Sequence, residues 1–305
     1  MIEPQDINAE GPVNGFEIKK SSPFKLIGEF RVWDAHKNGE EYVLKIEDRE
    51  SVDMLLEQTI SLAMDNPCVS KVVDYGTTVY LKKYFVYRKF PLCLEELDRT
   101  AHLDFPQIQN LMGQLMKGLR HIHSQKYIHC AIQPANIMIE EMEGGEKRLI
   151  IHNFAFSQSI QEPVENSTLP LGYQPIEILI SRQSNAGVDM WSAGCVMARM
   201  IRRCELFNGE NHESVLQKMA TVLGRPLQTY QAALNAFNVT FETDDSPKIR
   251  QALPGVSDDA INLIEQLLAF DPIQRPSPIE ALKHSYFTND ESQVTRTDLT
   301  LPDFP

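Results

Sequence analysis

From Phe16 to about Phe90 the chain is built of short apolar runs with near two-residue alternation: Phe24–Ile27, Phe30–Trp33, Tyr42–Ile46, Val72–Tyr75 and Tyr84–Tyr87. That period places successive side chains on opposite faces, so each run predicts a strand, with polar turns such as His36-Lys-Asn-Gly39 between them. Met54, Leu55, Ile60, Leu62 and Ala63 break the alternation with helical spacing and predict one helix among the strands.

Beyond about residue 89 the period becomes helical. Asp104 is placed to cap a helix with Pro106 in its first turn and Gln107 reaching back. Ile108, Leu111, Met112, Leu115, Met116, Leu119 and Ile122 then mark one buried stripe. Ile137–Ile139 and Leu149–Ile151 flank an acidic turn around Gly144-Gly145 and read as a hairpin. Further helices are predicted over Val188–Arg203, Glu213–Leu223, Ser257–Phe270 and Ser277–His284, the last opening on the capping box Ser277-Pro-Ile-Glu280.

A small β-rich part followed by a larger helical part is an α+β, two-lobed arrangement with its main cleft between the lobes. The expected organisation is a flexible lead-in over 1–14, an N-lobe over 15–88, a C-lobe over 89–288 and an acidic tail over 289–305.

Charge narrows the partners. The 305 residues carry 29 Lys+Arg against 42 Asp+Glu, a formal net charge of −13, which repels nucleic acid and anionic membrane surfaces. No apolar run has the length of a membrane span, and the start lacks the basic and apolar regions of a signal peptide. The five cysteines, Cys68, Cys93, Cys130, Cys195 and Cys204, show neither metal-ligand nor redox spacing. The expectation is a reduced intracellular protein, cytoplasmic or nuclear.

At Tyr127-Ile-His-Cys-Ala-Ile-Gln-Pro-Ala-Asn-Ile-Met-Ile139 the chain resembles the catalytic loop of the protein kinase family, H-R-D-L-K-P-x-N followed by a strand. Other landmarks agree in order. Tyr42-Val-Leu-Lys45 is similar to the V-A-I-K strand, and Asn153-Phe-Ala155 stands where the family has D-F-G. Tyr173-Gln-Pro-Ile-Glu177 resembles Y-R-A-P-E, Val188-Asp189-Met-Trp191 resembles D-V-W, and Asp271-Pro-Ile-Gln-Arg275-Pro-Ser277 resembles D-P-x-x-R-P-[ST]. The resemblance runs from about residue 16 to 288. In the C-lobe, the segment around Asn211–Arg225 has a faint similarity to the cyclin-dependent and related kinases.

The departures fall on the chemistry. The resemblance implies that the catalytic aspartate is replaced by Ala131, the lysine that meets the transferred phosphoryl group by Gln133, and the magnesium-holding aspartate by Asn153. The glycine after it is Ala155. In the loop that covers phosphate, Gly28 is the one glycine kept, followed by Glu29 and Phe30. Lys45, Glu57 and Asn136 match the residual nucleotide-site positions. His129, Glu177, Asp189, Trp191 and Arg275 match structural landmarks, with Glu177–Arg275 as an ion pair.

General-base assistance is worth about 10²–10⁴ in rate, so joint loss of base, phosphoryl contact and metal ligand implies a degenerate, catalytically inactive member, a pseudokinase. Such a protein works as a scaffold or allosteric regulator of protein partners, among them an active kinase or a kinase substrate or regulator. The alternatives are a divergent nucleotide-binding kinase and a decoy for the regulators of a related active kinase. No cofactor and no metal is expected; weak ATP binding stays open, and the amide at Asn153 argues against magnesium. Tyr87 reads either as sheet filling or as a ring narrowing the nucleotide pocket. Ser157, Ser159, Ser167 and Thr168 are candidate phosphorylation sites, but the arginine that would receive the phosphate is Cys130.

Overall fold

The two residues Asn38 and Gly39 carry φ of 54° and 83°, the mirror-image turn that matches the right-handed twist of paired strands. They join β3 (Phe30–Lys37) to β4 (Glu40–Glu47) in a register that sets Val32 opposite Lys45. This computed structural model describes residues 13–19, 25–27, 30–47, 53–79, 81–162, 169–181, 185–226, 228–239 and 247–289, with backbone alone at 25–27, 30, 53–56 and 58.

The N-lobe sheet adds β1 (Glu17–Ile18), β2 (Lys25–Ile27), β5 (Val72–Thr77) and β6 (Lys83–Arg88). Its order is β1-β3-β4-β6-β5, with β2 also on β3. Trp33, Ala35, Leu44, Ile46, Tyr84 and Val86 form its outer face, covered by Val13 and Phe16. Val13 and Asn14, placed by the sequence in the lead-in, thus belong to the lobe: Val13 is buried, and Asn14 donates to Asp74 at 2.7 Å. The opposite face carries Lys45 in line with Phe85, and a one-residue slip would turn the lysine to the wrong side. Helix α1 (Asp53–Ala63) occupies the predicted position between β4 and β5.

The C-lobe opens with β7 (Leu92–Cys93) and α2 (Leu94–Thr100), two elements the apolar pattern did not reveal. Helix α3 (Phe105–Ser124) has the predicted cap, Gln107 N–H donating to Asp104 at 2.7 Å and Gln107 answering Asp104 N–H at 3.0 Å. After β8 (Tyr127–Ile128) come the predicted hairpin, β9 (Ile137–Glu141) with β10 (Lys147–Ile151), and then β11 (Gln158–Ser159). Helices α4 (Ile176–Ser181), α5 (Gly187–Arg202), α6 (His212–Leu223), α7 (Gln231–Ala236), α8 (Ile249–Ala252), α9 (Asp258–Leu267) and α10 (Pro278–Ala281) complete the described part. No helix among the described residues is long and apolar enough to cross a membrane.

Two predicted helices are too long. α9 ends at Leu267, not Phe270, because Pro272 disfavours helical backbone before it and Arg275 takes the carbonyls of Ala269 and Phe270 instead. α10 is a single turn rather than a helix to His284. After Leu282 the bonds tighten to three-residue spacing, Lys283 to Glu280 and His284 to Ala281, and the chain turns out.

Helix α5 is buried along nearly its whole length and is the axis on which the lobe is built. Trp191 stacks on Phe207 at 5.7 Å, and the Arg275 guanidinium lies 4.9 Å from the Trp191 ring. Arg275 donates both terminal nitrogens to Glu177, at 2.7 and 2.8 Å, and a further bond to the Gly187 carbonyl, joining α4, α5 and the loop after α9. Removing one partner of such a buried pair strands the other charge. Arg275→Ala is therefore expected to lower stability by about 3–5 kcal/mol in urea unfolding. Arg275→Lys should recover less than half of that loss, since an ammonium cannot reproduce the two-pronged contact.

Candidate functional site

Asp189, in the first turn of α5, organises the loop between β8 and β9. Its Oδ2 accepts the His129 N–H and the His123 Nε2–H, both at 2.8 Å, and its Oδ1 accepts the Cys130 N–H at 2.9 Å. Burial works against its charge, yet the His123 hydrogen bond and the surrounding donors hold its carboxyl below the usual range. Pinned in this way, Cys130 adopts a left-handed φ of 60°.

His129 is fully buried and uses both ring nitrogens in its neutral form: Nε2 donates to the His152 carbonyl at 3.2 Å, and Nδ1 accepts the Ala131 N–H at 3.3 Å. Asn136 Nδ2 donates to the Ala131 carbonyl at 2.9 Å. Ala131, the position the resemblance matches to the catalytic aspartate, is buried. Gln133 is partly exposed at the start of the short turn Pro134–Asn136.

The second half of the site comes from the N-lobe. Lys45 is 1% exposed, and its Nζ donates to Glu57 Oε1 at 3.0 Å and to Asn153 Oδ1 at 3.2 Å. The pairing of Lys45 with Glu57, drawn from the family resemblance, is thus formed, with Glu57 itself buried. Asn153, at a left-handed φ of 72°, donates its Nδ2 to Asn136 Oδ1 at 3.2 Å. A continuous polar chain results, running from Glu57 through Lys45, Asn153 and Asn136 to the Ala131 carbonyl.

Tyr87 fills the sheet, the first of the two readings left open by the sequence. Its ring packs with Val72 and Phe85, with Val32 and Ala155 against that cluster. Its hydroxyl lies 3.0 Å from Ser61 Oγ and donates to Glu57 Oε1 at 3.3 Å. Burial, reinforced by the Glu57 charge, pushes the phenol well above its ordinary value, so it remains a donor. Ser61 follows Glu57 by one helical turn and could have been found from that spacing. His152 was missed as well: its ring meets Tyr87 edge-on at 5.1 Å and hydrogen-bonds Ser70, and only its place before Asn153 signals it.

One expectation resolves differently. Ser157 is buried and donates to the His129 carbonyl, which removes it as an accessible phosphorylation site. Burial pushes the Cys130 thiol far up, the opposite of activation. Among the described residues no group of three or more His, Cys, Asp or Glu is arranged to hold a metal ion. Gly28, Glu29, Ser167, Thr168 and the Phe30 side chain lie outside the described residues.

Residues 34–287 match the family model of the protein kinase domain, and the chain belongs to that family. It is similar to the cell division control protein 2 homolog 2 of Trypanosoma brucei brucei, 31% identical over 188 residues, 59% of this chain and 54% of that protein. It is also similar to the mitogen-activated protein kinase 12 of Homo sapiens, 30% identical over 221 residues, 69% of this chain and 59% of that protein. The chain spans about half the length of the curated relatives it matches. Among solved structures it resembles a chain of the yeast RNA Pol II CTD kinase CTDK-1 complex, with a TM-score of 0.74 at 21% identity over 89% of this chain and 95% of that one. At that identity the likeness speaks for the fold alone.

Two expectations test this geometry. Tyr87→Phe removes the hydroxyl that ties Glu57 and Ser61 to the sheet. It should cost about 1–3 kcal/mol in chemical unfolding and speed amide exchange over the second half of α1. Burial pulls the His129 imidazole from 6.5 down to about 4. A group whose folded value lies below its unfolded one gives stability that is complete above pH 6.5 and lost as pH falls toward 4. His129 should therefore contribute a slope of about 1.4 kcal/mol per pH unit within that window. NMR of the native protein should find its ring neutral, with the proton on Nε2, at pH 5.

Proposed function

We propose that this chain is a catalytically inactive member of the protein kinase family that works by binding other proteins, as a scaffold or an allosteric regulator. The observation that carries the reading is the closed polar chain from Glu57 to the Ala131 carbonyl. Where phosphoryl transfer needs a carboxylate to receive the hydroxyl proton, Ala131 offers a methyl group, and its carbonyl already accepts from Asn136. Where it needs a metal held against phosphate, both amide oxygens are engaged, Asn153 Oδ1 by Lys45 and Asn136 Oδ1 by Asn153. A hard divalent cation prefers carboxylates, and Glu57 meets Lys45 and Tyr87 through Oε1, while its Oε2 is buried without a hydrogen bond. The donor set therefore does not fit a magnesium-nucleotide, and no catalytic step is assigned to it.

The partner in this reading is a protein, an active kinase or a substrate or regulator of one. The buried Lys45–Glu57 pair and the placement of Asn136 favour one rival, a divergent kinase that still binds nucleotide.

Phosphotransfer from labelled ATP with magnesium or manganese separates the two. Lys45→Ala alone would strand the Glu57 charge, so the suitable control is Lys45→Met with Glu57→Gln, which removes the pair together. Active kinases turn over at roughly 1–100 per second; here no product above the control is expected. Turnover above it sinks the proposal, and a metal-dependent ATP shift in melting temperature that the control lacks supports the rival.

A further inference from the structure

The chain crosses from the N-lobe to the C-lobe over very little free backbone. Arg88 ends β6 and pairs with Tyr42, and Leu92 opens β7 and pairs with Ile139 of β9. Lys89 is still held by the N-lobe: its N–H donates to the Glu41 carbonyl at 3.1 Å, and its Nζ meets Asp34 at 2.7 Å. Phe90 and Pro91 are what remains between the two sheets. Proline fixes its own φ and restricts the residue before it to extended backbone. A hinge absorbs large changes of φ and ψ at a few residues, and this pair has little to give.

A side chain spans the same gap. Arg88 Nη2 reaches Glu140 Oε1 on β9 at 2.8 Å, while Glu140 Oε2 accepts from Arg148, its cross-strand neighbour on β10. One carboxylate is thus gripped by an arginine from each lobe. A lone surface pair is worth little, but a network is a different case. The Glu140 side chain is 13% exposed, and Arg148 holds it where Arg88 meets it.

The lobes are fastened away from the linker as well. Ser70 N–H donates to the Ile151 carbonyl and Ile151 N–H to the Cys68 carbonyl, both at 2.8 Å. His152 Nδ1 lies 3.0 Å from Ser70 Oγ, and Asp65 N–H donates to His121 Nε2 of α3 at 3.2 Å. Inside the cleft Lys45 holds Asn153 at 3.2 Å. Swinging the N-lobe open breaks the Lys45 contact, and turning it about the linker breaks the Arg88 one.

We infer that Glu140 is a latch that fastens the two lobes into one rigid body, so that the protein offers its partner a fixed surface. The inference rests on the binding role proposed above and chooses within it, for a scaffold and against a moving allosteric element. The two can fail separately. Phosphotransfer above the control would sink the inactivity and leave the latch standing, whereas mobile lobes would sink the latch and leave the inactivity standing.

Spin labels at Val73→Cys on β5 and Ile279→Cys on α10, both exposed positions, report the distance between the lobes by pulsed electron resonance. The full chain carries Cys93→Ser and Cys204→Ser, since Cys68, Cys130 and Cys195 are buried. One narrow distance distribution is expected, unmoved by millimolar ATP with magnesium. Arg88→Met and Glu140→Gln should each widen it at least twofold, and the two together no further, because either alone opens the latch. Salt at 1 M, which shortens the screening length to about 3 Å, should widen the native distribution likewise. A native distribution that is broad, two-peaked or displaced by nucleotide overturns the proposal. So do a width indifferent to salt, variants that leave it unchanged, or effects that add in the double variant.

Discussion

An ammonium group with 1% exposure has to find its counter-charge inside the protein, and this requirement at Lys45 orders the N-lobe. Glu57 supplies the charge at 3.0 Å, which fixes α1 against β4. Once α1 is there, Ser61 stands one turn further along, within 3.0 Å of the Tyr87 hydroxyl. Tyr87 in turn is held by its pairing with Val43 in β4. A single buried cation thus sets the distance between helix and sheet. It also donates to the Asn153 oxygen at 3.2 Å, which ties the N-lobe strand to the segment after β10.

The anchors of the scaffold act through backbone groups and through contacts of their own. Asp189 holds the loop through the backbone N–H groups of His129 and Cys130, contacts that do not involve the side chain at position 130. His129 likewise spends its ring on the His152 carbonyl and the Ala131 N–H. The Glu177–Arg275 pair ties three segments of the C-lobe through contacts of its own.

What the sequence made legible follows the same division. Strands announced by alternation, the Asn38-Gly39 turn and the Asp104 cap are local codes, and each stands where the pattern places it. α2 escaped because its N-cap is Cys93, outside the usual capping set, and its apolar signal is little more than Leu94 and Leu97. α10 was overextended because the capping box marks where a helix begins and says nothing of where it ends. The Lys45–Glu57 pair was legible only through the order of family landmarks, since strand and helix periods carry no information about which faces meet. The Tyr87–Ser61 contact and the left-handed Leu81 depend on tertiary packing and turn geometry, which no one-dimensional period encodes.

Asn153 shows how small the difference between two kinds of site can be. Its φ of 72° is a conformation that aspartate and asparagine both tolerate, so the backbone is indifferent to which of them stands there. The difference lies in one atom. Nδ2 points at Asn136 Oδ1 from 3.2 Å, and a donor facing an acceptor completes the pair. A carboxylate oxygen in that place would face another oxygen, and two acceptors at such a distance repel unless a cation sits between them. Exchanging oxygen for N–H therefore turns a pair that requires a bridging cation into one satisfied by its own proton. Lys45 meets Glu57 through Oε1 and Asn153 through Oδ1, while Glu57 Oε2 stays buried without a hydrogen bond.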